Sequence, residues 1–133
     1  MVFRQEWTRV VLIVGFIVFG ASVYGLDHWE APAKEKGKKN PVKADERSLR
    51  IGKDLYEKKC LSCHGELGKG DGKMAGTLQE RPGDLTAIGN QTDGEIFWKI
   101  TFGKDPMPTL GKNTPAEDRW NIVNYVRTLA KKN

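Results

Sequence analysis

Cys60-Leu61-Ser62-Cys63-His64 holds both cysteines of the chain and one of its two histidines. The two-residue gap sets both sulfurs toward one edge of a flat ligand while the chain turns to deliver the imidazole of His64. This C-x-x-C-H spacing is the attachment signature of a covalent haem. Each thiol adds across a vinyl group, and His64 supplies the proximal nitrogen to iron. Two other chemistries use such cysteine pairs. A thioredoxin-type redox pair needs a βαβ setting, and the flanking sequence carries no such pattern. A zinc site needs a second pair of ligands, and His28 is the only other histidine.

Outward from the pentad the periodicity is helical. Leu49, Ile51, Gly52, Leu55 and Tyr56 predict a helix over Glu46 to Lys59, with Asp45 as its N-cap. A capping box at Thr92-x-x-Glu95 opens a middle helix that ends near Gly103 and buries Ile96, Phe97 and Ile100. A second box at Thr114-x-x-Glu117, with Pro115 in the first turn, opens a last helix carrying Trp120, Ile122, Val123, Tyr125, Val126 and Leu129. These apolar positions read as core rather than chemistry.

On these residues the region Leu49 to Leu129 resembles class I cytochrome c, a small all-helical family with an N-terminal CxxCH and a C-terminal Met ligand. Gly65-Glu-Leu-Gly-Lys-Gly-Asp-Gly72 and Arg81-Pro-Gly-Asp-Leu-Thr86 resemble its bacterial branch that includes cytochrome domains of respiratory complexes. The resemblance implies an all-α class I cytochrome c fold around one covalent haem c, bound through Cys60 and Cys63. It also implies that the first and last helices cross, with Gly52 permitting close approach beside Tyr56 and Tyr125. In relatives a proline carbonyl accepts the proximal His Nδ1–H, and Pro82 is the candidate here. Trp98 and Arg81 are candidates for hydrogen bonds to a haem propionate.

The sixth iron ligand is expected from Met107, in the Pro-flanked loop Gly103-Lys-Asp-Pro-Met-Pro108. Proline stiffens such a loop and limits its ways of moving the sulfur. Class I cytochromes carry their Met ligand in this M-P context. Met74 follows the Gly-rich loop and begins a short apolar turn, so packing is its expected role, and His28 is a remote third alternative. A thioether on iron raises the potential and leaves no open position for substrate. The reading is therefore a one-electron carrier with redox protein partners such as a respiratory complex, oxidase or dehydrogenase, not an enzyme and without a small-molecule substrate. A haem sensor or peroxidase-like protein, with Met107 easily displaced, is the alternative from another class.

The first part of the chain has a different character. Val10 to Leu26 contains no charged residue and spans 17 positions, roughly 26 Å as a helix. Trp7 and Thr8 bring it near the ~30 Å of a bilayer core, and Trp7, Tyr24 and Trp29 suit the interfacial belts. The rival is a cleavable signal with Arg4 and Arg9 as its charged start, leaving a secreted soluble carrier. Its candidate cleavage sequences, Ala21-Ser22-Val23 and Val23-Tyr24-Gly25, are poor. Lys34, Lys36, Lys38, Lys39 and Lys43 outnumber Arg4 and Arg9, which opposes an outward domain, but long C-terminal domains translocate largely regardless of charge. Thioether attachment takes place outside the cytoplasmic membrane in bacteria, which favours the periplasmic side. The expected organisation is a short cytoplasmic N-terminus at 1–9, a single transmembrane anchor at 10–26, a flexible polar linker at 27–44 and the cytochrome domain at 45–133.

Net charge is +5 over 133 residues. Residues 45–133 carry only +2 of it, with no basic stripe and interleaved aromatics, so nucleic acid is not an expected partner.

Overall fold

The structure is a computed structural model that describes residues 29–130. The expected anchor at 10–26, the segment 1–9 and His28 lie outside the described residues. Among the described residues no helix is long and apolar enough to cross a membrane. Five α-helices follow in order among the described residues: α1 (Ala33–Lys36), α2 (Glu46–Lys59), α3 (Leu61–His64), α4 (Asp93–Phe102) and α5 (Ala116–Leu129). Short 3₁₀ segments at Ala75–Thr77 and Leu85–Asn90 lie between α3 and α4. Among the described residues there is no strand, only an isolated bridge between Lys104 and Met107.

The α2 and α5 helices cross at Gly52. A Cβ built there would stand 2.1 Å from the backbone oxygen of Asn121 and 2.8 Å from Tyr125 Cβ. The missing side chain is what lets the two backbones touch. Tyr56 and Tyr125 meet beside the crossing with ring centroids 5.3 Å apart. Tyr56, Ile122 and Val123 are the most deeply buried large side chains, and α4 closes the core with Ile96, Phe97 and Ile100. Phe97 stacks on Trp120 at 3.9 Å. Each such side chain contributes about 1.5–3 kcal/mol by leaving water.

Capping follows the sequence at two helices and departs from it at the third. Asp45 accepts from Ser48 N at 3.0 Å and Thr92 accepts from Glu95 N at 3.2 Å. At α5 the expected box does not form. Pro115 occupies the N-cap position with extended ψ of 152°, and no side chain caps the helix. Thr114 thus falls one residue too early, and its buried hydroxyl has no hydrogen-bond partner.

The expectation of a flexible spacer over 27–44 is corrected by the packing of residues 29–43. Ala31 is buried and Val42 packs on the core. Asn40 Nδ2 donates to Asn124 Oδ1 at 2.8 Å and to Trp120 O at 3.2 Å. Asn124 Nδ2 donates in turn to Val42 O and to Ser48 Oγ, and Ser48 Oγ donates to Asn121 Oδ1. Four polar side chains thus satisfy one another between the strap, α2 and α5. Gly94 admits the strap onto α4, because a Cβ there would lie 2.0 Å from Glu35 O. Hydropathy periodicity was blind to this strap, since side-chain amides rather than an apolar stripe hold it down.

Candidate functional site

The pentad sits where α2 hands over to α3. Cys60 breaks the helix with φ −120° and ψ −34°, and its amide still donates to Tyr56 O at 2.8 Å. One tight turn follows, in which the amides of Cys63 and His64 both donate to Cys60 O. Gly65 ends that turn at φ 80°, and its carbonyl accepts a 2.7 Å bond from the buried Tyr56 hydroxyl. The glycine-rich loop then folds back beneath the motif. Gly70 N donates to His64 O, Gly72 N to Cys63 O and Met74 N to Ser62 O. A Cβ at Gly72 would stand 2.3 Å from Ser62 O. The carbonyls at the end of α3 are thereby satisfied by backbone alone, and both cysteines and His64 are held on one rigid turn.

His64 Nδ1 lies 3.2 Å from Gly83 O. The acceptor is therefore one residue past the expected Pro82. The Pro82 carbonyl abuts Gly70 instead, where a Cβ would be only 2.2 Å from it. An N–H on Nδ1 donating to Gly83 O fixes the tautomer and ring, and leaves the Nε2 lone pair for a metal. Burial holds His64 below its ordinary pKa, against the opposing effect of the Gly83 bond, so the imidazole is neutral as a ligand must be.

Burial pushes the Cys60 thiol up to about 12. A thiol held neutral in this way is a poor candidate for thioredoxin-type exchange, which needs a thiolate. Among the described residues no three His, Cys, Asp or Glu side chains are set to hold a metal ion, which also leaves the zinc reading without ligands. The donor set that remains is two free thiols on one turn, one oriented imidazole and a thioether on a separate element. That set fits a covalent haem.

The thioether expected from the sequence is that of Met107. Its amide donates to Lys104 O at 2.6 Å and its carbonyl accepts from Lys104 N at 3.1 Å, so the residue is clamped in a four-residue turn. Gly103, at φ 62°, makes that turn fit, since a Cβ there would meet Met107 O at 2.5 Å. Leu110 and Gly111 tie the far side of the loop to α4 through Ile100 O and Thr101 O. Met107 is half-buried against the core, whereas Met74 is 49% exposed and does not pack as expected.

The two propionate candidates stand apart. Arg81 Nε donates to Gly70 O at 3.3 Å, at the edge of a cavity of about 430 Å³ lined also by Asp71, Gly72 and Leu78. Trp98 faces the strap instead, its ring 6.3 Å from Trp29 and 5.5 Å from Phe102. Sequence reading missed Gly83 and the Tyr56 hydroxyl as supports of the motif. The first depends on which way a peptide points, and the second is one phenol among several apolar helix positions; neither leaves a periodic signal.

Three comparisons bear on the chain. Residues 47–126 match the family model described as cytochrome c oxidase, cbb3-type, subunit III. A cytochrome c6 of Rippkaea orientalis (strain PCC 8801 / RF-1) is 36% identical over 80 residues, 60% of this chain and 69% of that protein. In the Kuenenia stuttgartiensis reducing HAO-like protein complex Kustc0457/Kustc0458, a chain aligns with a TM-score of 0.62 and 30% identity over 68% of this chain. This chain spans 47% of that one. The KustC0563 c-type cytochrome aligns with a TM-score of 0.51 at 25% identity, over 60% of this chain and 98% of its own.

Proposed function

The chain belongs to the cytochrome c family matched by the cbb3-type subunit III model, and we propose that it is a one-electron carrier, anchored by its own apolar run on the periplasmic side of a bacterial cytoplasmic membrane. Family membership implies electron transfer and a covalently bound haem c, for which Cys60 and Cys63 supply the CxxCH thiols. When bound, the haem supplies an iron that alternates between two oxidation states. The chain's own residues hold and shield it. In this reading His64 would hold the iron through Nε2 with its ring fixed by Gly83 O, and Met107 would supply the thioether from the clamped turn.

The observation that carries the proposal is the pairing of two rigid supports. The loop beneath α3 fixes the imidazole, and the reciprocal Lys104–Met107 bonds fix the thioether. Little movement of either ligand between oxidation states means little reorganisation, which suits a carrier better than catalysis at iron. The proposed partners are redox proteins of a respiratory chain, met either freely or within a complex. Likeness to a chain of the HAO-like complex supports the second arrangement. The uncharged run Val10 to Leu26 supports the anchor.

The test is an absorption spectrum of washed membranes, oxidised and reduced, with a pyridine haemochrome assay. The expected result is a c-type haemochrome that stays with the membranes and shows the charge-transfer band of Met ligation. A soluble haemochrome means the anchor is removed. A c-type spectrum that binds carbon monoxide at neutral pH without treatment points to the sensor or peroxidase-like alternative. Absence of covalent haem refutes the proposal.

A further inference from the structure

The strap that replaces the expected spacer changes how the domain relates to the membrane. Trp29 already packs against Trp98 of α4, and only Asp27 and His28 separate it in sequence from the end of the apolar run at Leu26. Whatever their conformation, three Cα steps reach at most about 11 Å, against about 25 Å for an 18-residue coil. The domain therefore has no arm on which to swing.

The place where the chain enters the fold is also chemically distinctive. Trp29, Trp98 and Phe102 form a continuous aromatic edge, with successive centroids 6.3 and 5.5 Å apart. Phe102 is 61% exposed, the most exposed large hydrophobic side chain of the described residues. Lys99 Nζ lies 5.5 Å from the Trp29 ring while bonded to Gln91 Oε1 and paired with Glu95, so the cations open to solvent here are Lys34 and Lys39 on the adjoining strap. Aromatic rings with neighbouring cations are the composition of a membrane interface, where the ring sits among headgroups and the ammonium meets phosphate.

We propose that the Trp29–Trp98–Phe102 edge rests in the interfacial layer of the membrane that Val10–Leu26 enters, clamping the haem domain in one orientation. The occupant of the edge is lipid, because the apolar run ends three residues from the first of its rings. The proposal rests on the anchored reading given above. Phe102 directly precedes the Gly103–Met107 turn, so the clamp sets the Met107 side of the domain toward the bilayer and leaves the other sides to partners.

The experiment is oriented-bilayer EPR of the full-length ferric holoprotein in stacked phosphatidylcholine–phosphatidylglycerol membranes. The low-spin haem signal is expected to change as the membrane normal is rotated in the field. Protein that stays in washed bilayers but gives no angular dependence overturns the clamp and leaves the anchor intact. Protein that washes off overturns both. Phe102→Glu is the second arm, with unchanged oxidised and reduced spectra as the check that it folds. Its angular spread is expected to widen at least twofold. An unchanged spread means that the short connection alone orients the domain, and the aromatic edge is then not a lipid contact.

Discussion

Replacing Gly52 by Ala should destabilise the protein, although alanine is the better helix former. The substitution gains about 1 kcal/mol of helix propensity in α2. Against this, the new methyl arrives 2.1 Å from Asn121 O and 2.8 Å from Asn121 C, both backbone atoms of α5. Real Cβ contacts essentially never fall below 3.0 Å, so the helices must separate by roughly 1 Å at their crossing. Overpacking of this kind costs about 1–3 kcal/mol, and a backbone obstacle belongs at the upper end because it cannot rotate away. The balance is a loss of about 2 kcal/mol, or roughly 10 °C in Tm for a domain near 100 residues. Thermal unfolding of the ferric holoprotein, followed by circular dichroism, measures it. Gly76→Ala is the control, because a Cβ there meets nothing within 4 Å, and it should leave Tm unchanged or slightly raised. A Gly52→Ala variant as stable as the parent would falsify the view that backbone contact between α2 and α5 organises the core.

Three other outcomes are expected. Tyr56→Phe removes the 2.7 Å bond to Gly65 O and should cost about 1 kcal/mol at pH 7. Burial raises the Tyr56 pKa, first by desolvation, so the folded state keeps a proton that the unfolded chain releases near pH 10. Stability contributed by neutral Tyr56 is therefore complete below about pH 10 and falls above it by up to about 1.4 kcal/mol per pH unit. Denaturant titrations at pH 9 and 11 should show a shallower alkaline loss in the Phe variant. Asn124→Ala strips partners from Asn40, Ser48 and Val42 O, and should cost about 2–3 kcal/mol. Hydrogen exchange should quicken across residues 38–43, and an exchange pattern equal to the parent's would refute the role given to the amide network. Met107→Ala should abolish the Met–iron charge-transfer band and permit carbon monoxide binding, whereas Met74→Ala, at an exposed position, should change neither.

The helices and the cofactor motif were legible in the sequence because each leaves a periodic or fixed-spacing mark. The bounds of α2 and the caps at Asp45 and Thr92 follow from local hydrogen-bond chemistry, and the Gly52 crossing followed from resemblance. What escaped was decided by long-range backbone placement. Pro82 and Gly83 are neighbours, and no spacing rule states which carbonyl meets His64. The strap read as a spacer because its attachment relies on Asn40 meeting Asn124, 84 residues away. Thr114 has the composition of a capping box but stands one residue out of phase with the helix that follows.

The crossing of α2 with α5 also dictates an order of events as the chain is made. Ser48 pairs with Asn121 across 73 residues and Asn40 with Trp120 across 80, so the helix leading into Cys60 has no lasting partner until the last helix has emerged. Pairings this distant in sequence form late and slowly. Cys60 and Cys63 consequently spend most of synthesis on an open chain. Both thiols stay partly exposed after folding, but the packing that fixes their turn is complete only when the final turns of α5 arrive, and a chain cut short before Ala116 never completes it.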